Sequence, residues 1–279
     1  MEQLIPIPTL HLFKVLDDLL IELLTSLSPD DWNKPTPAKL WTVKDVAAHL
    51  LDGNVRDIAA LDNYAPPVSA QINSYQDLVN YLNELNAVWV NAMKRMSPQL
   101  LLQLLKNTGP KFIEYMHTLD PFKPARYSVA WAGEEQSLNW FHIAREYTEK
   151  WHHQQQIREA VSKKPALMTR ELFYPCIATF MCALPHAYRN IPAQTGTAIS
   201  FTISGEAGGT WVLQKDDNGW QLQNNISVAE SAAQITIPPD IAWKLFTKAI
   251  LPATAIEGST IKGNNNLATG IFNMVSVMA

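Results

Sequence analysis

A chain of 279 residues, 47% hydrophobic and 17% charged, carries apolar material for one large or two ordinary folded domains and lies far from disordered compositions. Its net charge of −4, with adjacent lysines only at Lys163 and Lys164, excludes the concentrated positive surface that nucleic-acid binding needs. The stretch MEQLIPIPTLHLF lacks a basic n-region and holds Pro6 and Pro8, and later apolar runs are broken by charge, Pro or Gly. Neither a secretory leader nor a membrane span is expected, and the protein reads as cytoplasmic.

The first two-thirds of the chain follows a helical period. Residues 9–27 alternate apolar and polar and are closed by Pro29. A second helix over 42–62 starts at Thr42 with Asp45 three places on, a capping-box pattern. A third covers 74–96 from Ser74, and a shorter one opens at Ser97-Pro98 and stops before Gly109-Pro110. The connections 63–73 and 120–136 hold Pro66, Pro67, Pro121 and Pro124 and suit crossovers or site loops. Long helices are expected over 137–161 and 169–189, with Pro175 delaying the start of the second. It holds both cysteines, Cys176 and Cys182, whose spacing of six puts them on different helix faces, as separate buried thiols.

Past Asn190 the character changes. NIPAQTGT reads as a linker, so the expected domains are 1–190, helical, and 191–279, a small α+β unit. AISFTIS, GTWVLQKDD and GWQLQNN read as strands in an antiparallel arrangement, with Asp217-Asn218-Gly219 as a hairpin turn. AAQITI is a fourth strand, followed by a helix over DIAWKLFTKAI; after STIKG comes a last amphipathic helix over about 264–277.

Chemistry concentrates in AREYTEKWHHQQQIREA. Glu149 and His153 are spaced i, i+4, so a carboxylate and an imidazole project from one face and can reach one cation. His142, Glu146 and Gln156 lie close to that face, Trp140, Ala144, Tyr147 and Trp151 line the opposite one, and His152, off both, reads as a surface neighbour. A polar stripe facing water explains the same pattern. His49, in WTVKDVAAHLLDGN, sits on a face with Val46, Leu50 and Gly53. It reads equally as a core histidine or as a ligand for which Gly53 leaves room.

WTVKDVAAHLLDGN together with EYTEKWHHQQQIREAV resembles the DinB-like family, in the branch of the mycothiol-dependent maleylpyruvate isomerases. The resemblance covers nearly the whole chain; IPPDIAWKLFTKAI and GSTIKGNNNLA resemble that branch's sterol-carrier-like α+β domain. It implies a four-helix bundle, with extra helices, that binds a divalent metal through His49, Glu149 and His153. Such a set leaves a position open for catalysis and suits zinc, with nickel, cobalt or iron also accepted. It further implies a low-molecular-weight thiol as cofactor and a small-molecule electrophile as substrate, for S-transfer or cis–trans isomerisation. Two other readings compete: metal-assisted hydrolysis with Glu146 as general base, and a non-catalytic carrier or sensor of apolar ligands. Arg145 and Arg158 could orient an anion or pair with carboxylates, the second being favoured. The chain departs from the pattern in having no arginine after Arg189. Only Lys215, Lys244, Lys248 and Lys262 remain there, which favours an electrophile other than a dicarboxylate.

Overall fold

The structure, a computed structural model, describes residues 4–62, 64, 70–223 and 227–278. Pro66 and Pro67 of the first expected connection, and Asn224 and Asn225 at the end of the third expected strand, lie outside the described residues. The chain divides into two compact units. The first is Met1–Arg126 with Leu138–Ala166 and Met278–Ala279, and the second is Tyr127–Ser137 with Leu167–Val277. The expected boundary at 190/191 falls inside the second unit.

The first unit is helical. After a 3-10 turn at Leu10–Leu12, α1 (Phe13–Thr25) buries Phe13, Leu16, Leu20, Leu23 and Leu24, an i, i+3, i+4 stripe. The second helix, α2 (Val43–Ile58), begins at a complete capping box. Thr42 N donates to Asp45 Oδ2 at 3.0 Å while Asp45 N donates to Thr42 Oγ1 at 3.3 Å, satisfying two orphan N–H groups. In α3 (Tyr75–Met93), capped by Ser74, only Asn86 and Val90 are buried. Next come α4 (Pro98–Thr118) and α5 (Asn139–Ala160). Together α1, α2, α4 and α5 enclose a core in which Leu24, Val43, Val46, Leu101, Leu105 and Ile157 are at most 1% exposed. Each such side chain contributes about 1.5–3 kcal/mol of burial. No described helix is long and apolar enough to cross a membrane.

The expected stop before Gly109-Pro110 does not occur, and α4 runs on to Thr118 with Pro110 inside it. Proline there forfeits one hydrogen bond and strains the turn, about 3 kcal/mol. The apolar stripe continues past it through Phe112 and Met116, both at most 2% exposed, and their burial outweighs that cost. Gly109 is required by close approach: a Cβ there would lie 2.4 Å from Asp17 Oδ1 of α1. The start of α5 has no side-chain cap. Instead Asn139 N and Trp140 N donate to Lys123 O and Pro121 O, each at 2.9 Å, so the proline-bearing connection fixes the helix.

In the second unit, α6 (Arg170–Met181) starts at Thr169, and Pro175 lies inside it without delaying it. A break at Cys182 and Ala183 separates α7 (Leu184–Tyr188). Both helices belong with the sheet. Tyr188 stacks edge-on to Phe201 and Trp220 at 5.6 and 5.5 Å, and Arg170 donates to Glu206 O and Gly208 O. The strands are β1 (Ala198–Ile203), β2 (Gly209–Asp216), β3 (Gly219–Gln223), β4 (Ala233–Ile237) and β5 (Thr260–Gly263), in the order β3-β2-β1-β4-β5. The hairpin at Asp217-Asn218 joins β2 to β3, with Asp216 paired to Gly219. The sheet is mixed, not antiparallel throughout, because β4 returns to the free edge of β1 and pairs with it in parallel, Phe201 facing Ile235. Two helices, α8 (Pro239–Phe246) and α9 (Pro252–Glu257), precede β5. The expected final helix shortens to α10 (Asn265–Ala268) and a 3-10 turn at Thr269–Asn273. Its cause is Tyr188, whose hydroxyl donates to Leu267 O at 2.9 Å and accepts from Ile271 N at 3.1 Å. Its ring lies where a side chain on Gly270 would sit.

Candidate metal centre

The capping box that starts α2 places His49 two turns in, and α5 brings Glu149 and His153 opposite it. One donor atom from each of the three lies within 4.8 Å of the others. The His49 and His153 rings are 4.6 Å apart at 73°, and His153 Nε2 is 3.5 Å from Glu149 Oε2. Tetrahedral ligands at ~2.1 Å from an ion stand ~3.4 Å apart, so this pair is already at ligand spacing.

The donor set suits a cation. His153 Nδ1 is 2.9 Å from Gln156 Oε1, which holds the ring with its Nε2 facing the Glu149 carboxylate. Burial, and then the charge on His153, push the His49 imidazole well below its ordinary 6.5, leaving a neutral ring. Its buried Nδ1 has no hydrogen-bond partner among the described residues. Burial alone would raise the Glu149 carboxyl; His152, the hydrogen bond from His153 and His49 outweigh it and hold the group well below the usual range. Two imidazoles, one with an orphaned nitrogen, and one carboxylate fit a divalent ion.

Three residues complete the surroundings. Trp41, held by hydrogen bonds from Thr36 N and Oγ1 to its carbonyl, puts its ring 4.9 Å from His49 and 6.1 Å from His153. It had carried no role beyond its place in the motif string. His152 is 3% exposed, not a surface neighbour. Its ring lies 3.9 Å from that of His153 and its Nδ1 bonds Thr148 O at 2.8 Å. The polar stripe of α5 is not solvated either, since His142, His153 and Gln156 are all buried. Beside Gly53 the nearest atom to a built Cβ is Lys150 Nζ at 3.7 Å, an ordinary contact distance.

The other candidates are engaged elsewhere. Arg145 Nη2 contacts Glu146 Oε1 and His142 Nδ1, both at 2.6 Å. Glu146 therefore meets a guanidinium in a charged cluster with Asp57, whose carboxyl burial and Glu146 push up to about 7. Arg158, 6% exposed, donates to Leu19 O at 3.0 Å and feels the charge of Glu22, both on α1.

A helical bundle whose second and fifth helices converge on a His₂Glu cluster, in a chain that also folds an α+β unit, defines a class of bundle with a candidate metal site. The family model described as the mycothiol maleylpyruvate isomerase N-terminal domain matches residues 13–158, more than half of the chain, and the chain belongs to that family. Two solved structures share the fold over 91% of this chain and 91% of their own, at 9% identity. They are the mycothiol-dependent maleylpyruvate isomerase, with a TM-score of 0.50, and a histidine-to-alanine mutant of it, with 0.52. No curated protein sequence matches the chain.

Proposed function

We propose that this protein is a metal-dependent enzyme in which a low-molecular-weight thiol attacks a small electrophile, giving cis–trans isomerisation or S-transfer. The observation that carries the reading is the convergence of His49, Glu149 and His153 from two helices within 4.8 Å. A divalent ion held there supplies Lewis acidity that lowers a thiol's pKa and favours the thiolate. His49 and His153 would hold it as neutral lone-pair donors and Glu149 as the anionic ligand. Gln156 orients the His153 ring, and the Trp41 ring packs beside both histidines.

The thiol has to come from outside the chain. Cys176 is fully buried, and burial pushes the Cys182 thiol up to about 12. The absence of arginine from 190–279 favours an electrophile without the paired carboxylates a guanidinium fork would grip. The Arg145–Glu146 ion pair at 2.6 Å weighs against Glu146 as the base of a hydrolase.

The test is thiol consumption by chelator-stripped and zinc-reloaded protein. A panel of thiols, mycothiol among them, is offered with cis-enone acids and activated aryl halides. Turnover that needs both zinc and thiol supports the proposal; ester hydrolysis without thiol contradicts it.

A further inference from the structure

Lys150 follows Glu149 on α5, Leu50 follows His49 on α2, and a hydrogen bond joins the two. Lys150 Nζ donates to Leu50 O at 3.3 Å and, one turn on, to Asn54 Oδ1. Asn54, 3% exposed, extends the connection to α4 through Nδ2 to Thr108 Oγ1 at 3.0 Å, and the Thr108 hydroxyl donates to Leu104 O at 2.8 Å. The ammonium stands 4.3 Å over the Phe112 ring, with negative charge nearby from Glu146, Asp57 and Asp17. The cavity it borders, between Phe13, Leu16, Asp17 and Phe112, measures about 20 Å³. That is room for roughly one water, so the ammonium serves no organic ligand there.

Slipping one helix past another by a single residue moves its side chains ~1.5 Å and turns them ~100°. Metal ligands tolerate about 0.2 Å. A bond between the residues that follow His49 and Glu149 is therefore placed where it controls how the ligands meet. The geometry points to Lys150 as a positioning residue: through Leu50 O and Asn54 it locks α2 against α5 and so sets the metal affinity of the His49–Glu149–His153 cluster. This rests on the metal reading above.

The experiment measures cobalt(II) affinity of the full chain by competition with a chromophoric chelator, together with the visible spectrum of the bound ion. Wild type is measured first, beside His153→Ala. If wild type binds no cobalt, or His153→Ala binds it equally, the metal reading fails and the clamp with it. Given a wild-type site, Lys150→Met weakens cobalt binding about 10–100-fold and alters the spectrum. Leu24→Ala, a core change on α1, lowers stability and leaves both readouts unmoved. A folded Lys150→Met with wild-type affinity and spectrum overturns the inference while leaving the metal site standing. Should Lys150→Met not fold, the Asn54 pair decides. Asn54→Asp, which keeps an acceptor for Lys150, retains wild-type affinity and Asn54→Ala loses it; equal affinities in the two overturn the clamp.

Discussion

His142 offers a quantitative check on how the bundle handles buried charge. The ring is 2% exposed and its Nδ1 faces Arg145 Nη2 at 2.6 Å, so the nitrogen accepts and has no place for a second proton. Burial first, and then the Arg145 charge, lower its pKa from 6.5 to about 4. Above pH 6.5 the ring is neutral in the folded and unfolded chains alike. Between 6.5 and 4 only the unfolded chain takes up the proton, so stability falls with pH and the loss is complete below 4. A displacement from 6.5 to about 4, at ~1.4 kcal/mol per pH unit, is worth ~3 kcal/mol. Replacing His142→Gln removes the titration and keeps an acceptor for Arg145. Urea unfolding of both proteins between pH 7.5 and 4 should show wild type losing ~3 kcal/mol more than the variant. Parallel stability curves would refute the assignment of a buried, neutral His142.

Gln156→Leu removes the acceptor that orients His153 and should weaken zinc binding about 10–100-fold in chelator competition; unchanged affinity means the ring is held by something else. Tyr188→Phe deletes one hydroxyl that both donates to Leu267 O and accepts from Ile271 N, and should cost about 1–3 kcal/mol in denaturant unfolding. A neutral result there would separate the chain's last turns from Tyr188. Cys182→Ala should leave thiol-dependent turnover unaltered; loss of turnover would contradict an external thiol as nucleophile.

How much could be read beforehand depended on whether the determinant was local. Thr42 with Asp45, Ser74, and Ser97-Pro98 mark helix starts through contacts three residues apart, and those helices begin there. The i, i+4 spacing of Glu149 and His153 is local too, whereas the approach of His49, a hundred residues earlier, was carried by resemblance. The faces of α5 do not mark His152 as interior, because that helix is buried on most of its sides. Gly109-Pro110 looked like an ending because the compensating burial of Phe112 and Met116 belongs to the bundle and not to the dipeptide. The parallel pairing of β1 with β4, and the unwinding at Gly270 against Tyr188, likewise depend on partners distant in sequence.

The central claim is most directly tested by elemental analysis of zinc-equilibrated, desalted protein, comparing wild type with His49→Ala, Glu149→Gln and His153→Ala. The account predicts about one divalent ion per wild-type chain, with little retained by any of the three variants at unchanged helical content. An ion-free wild type, or variants that keep the full complement, would contradict it.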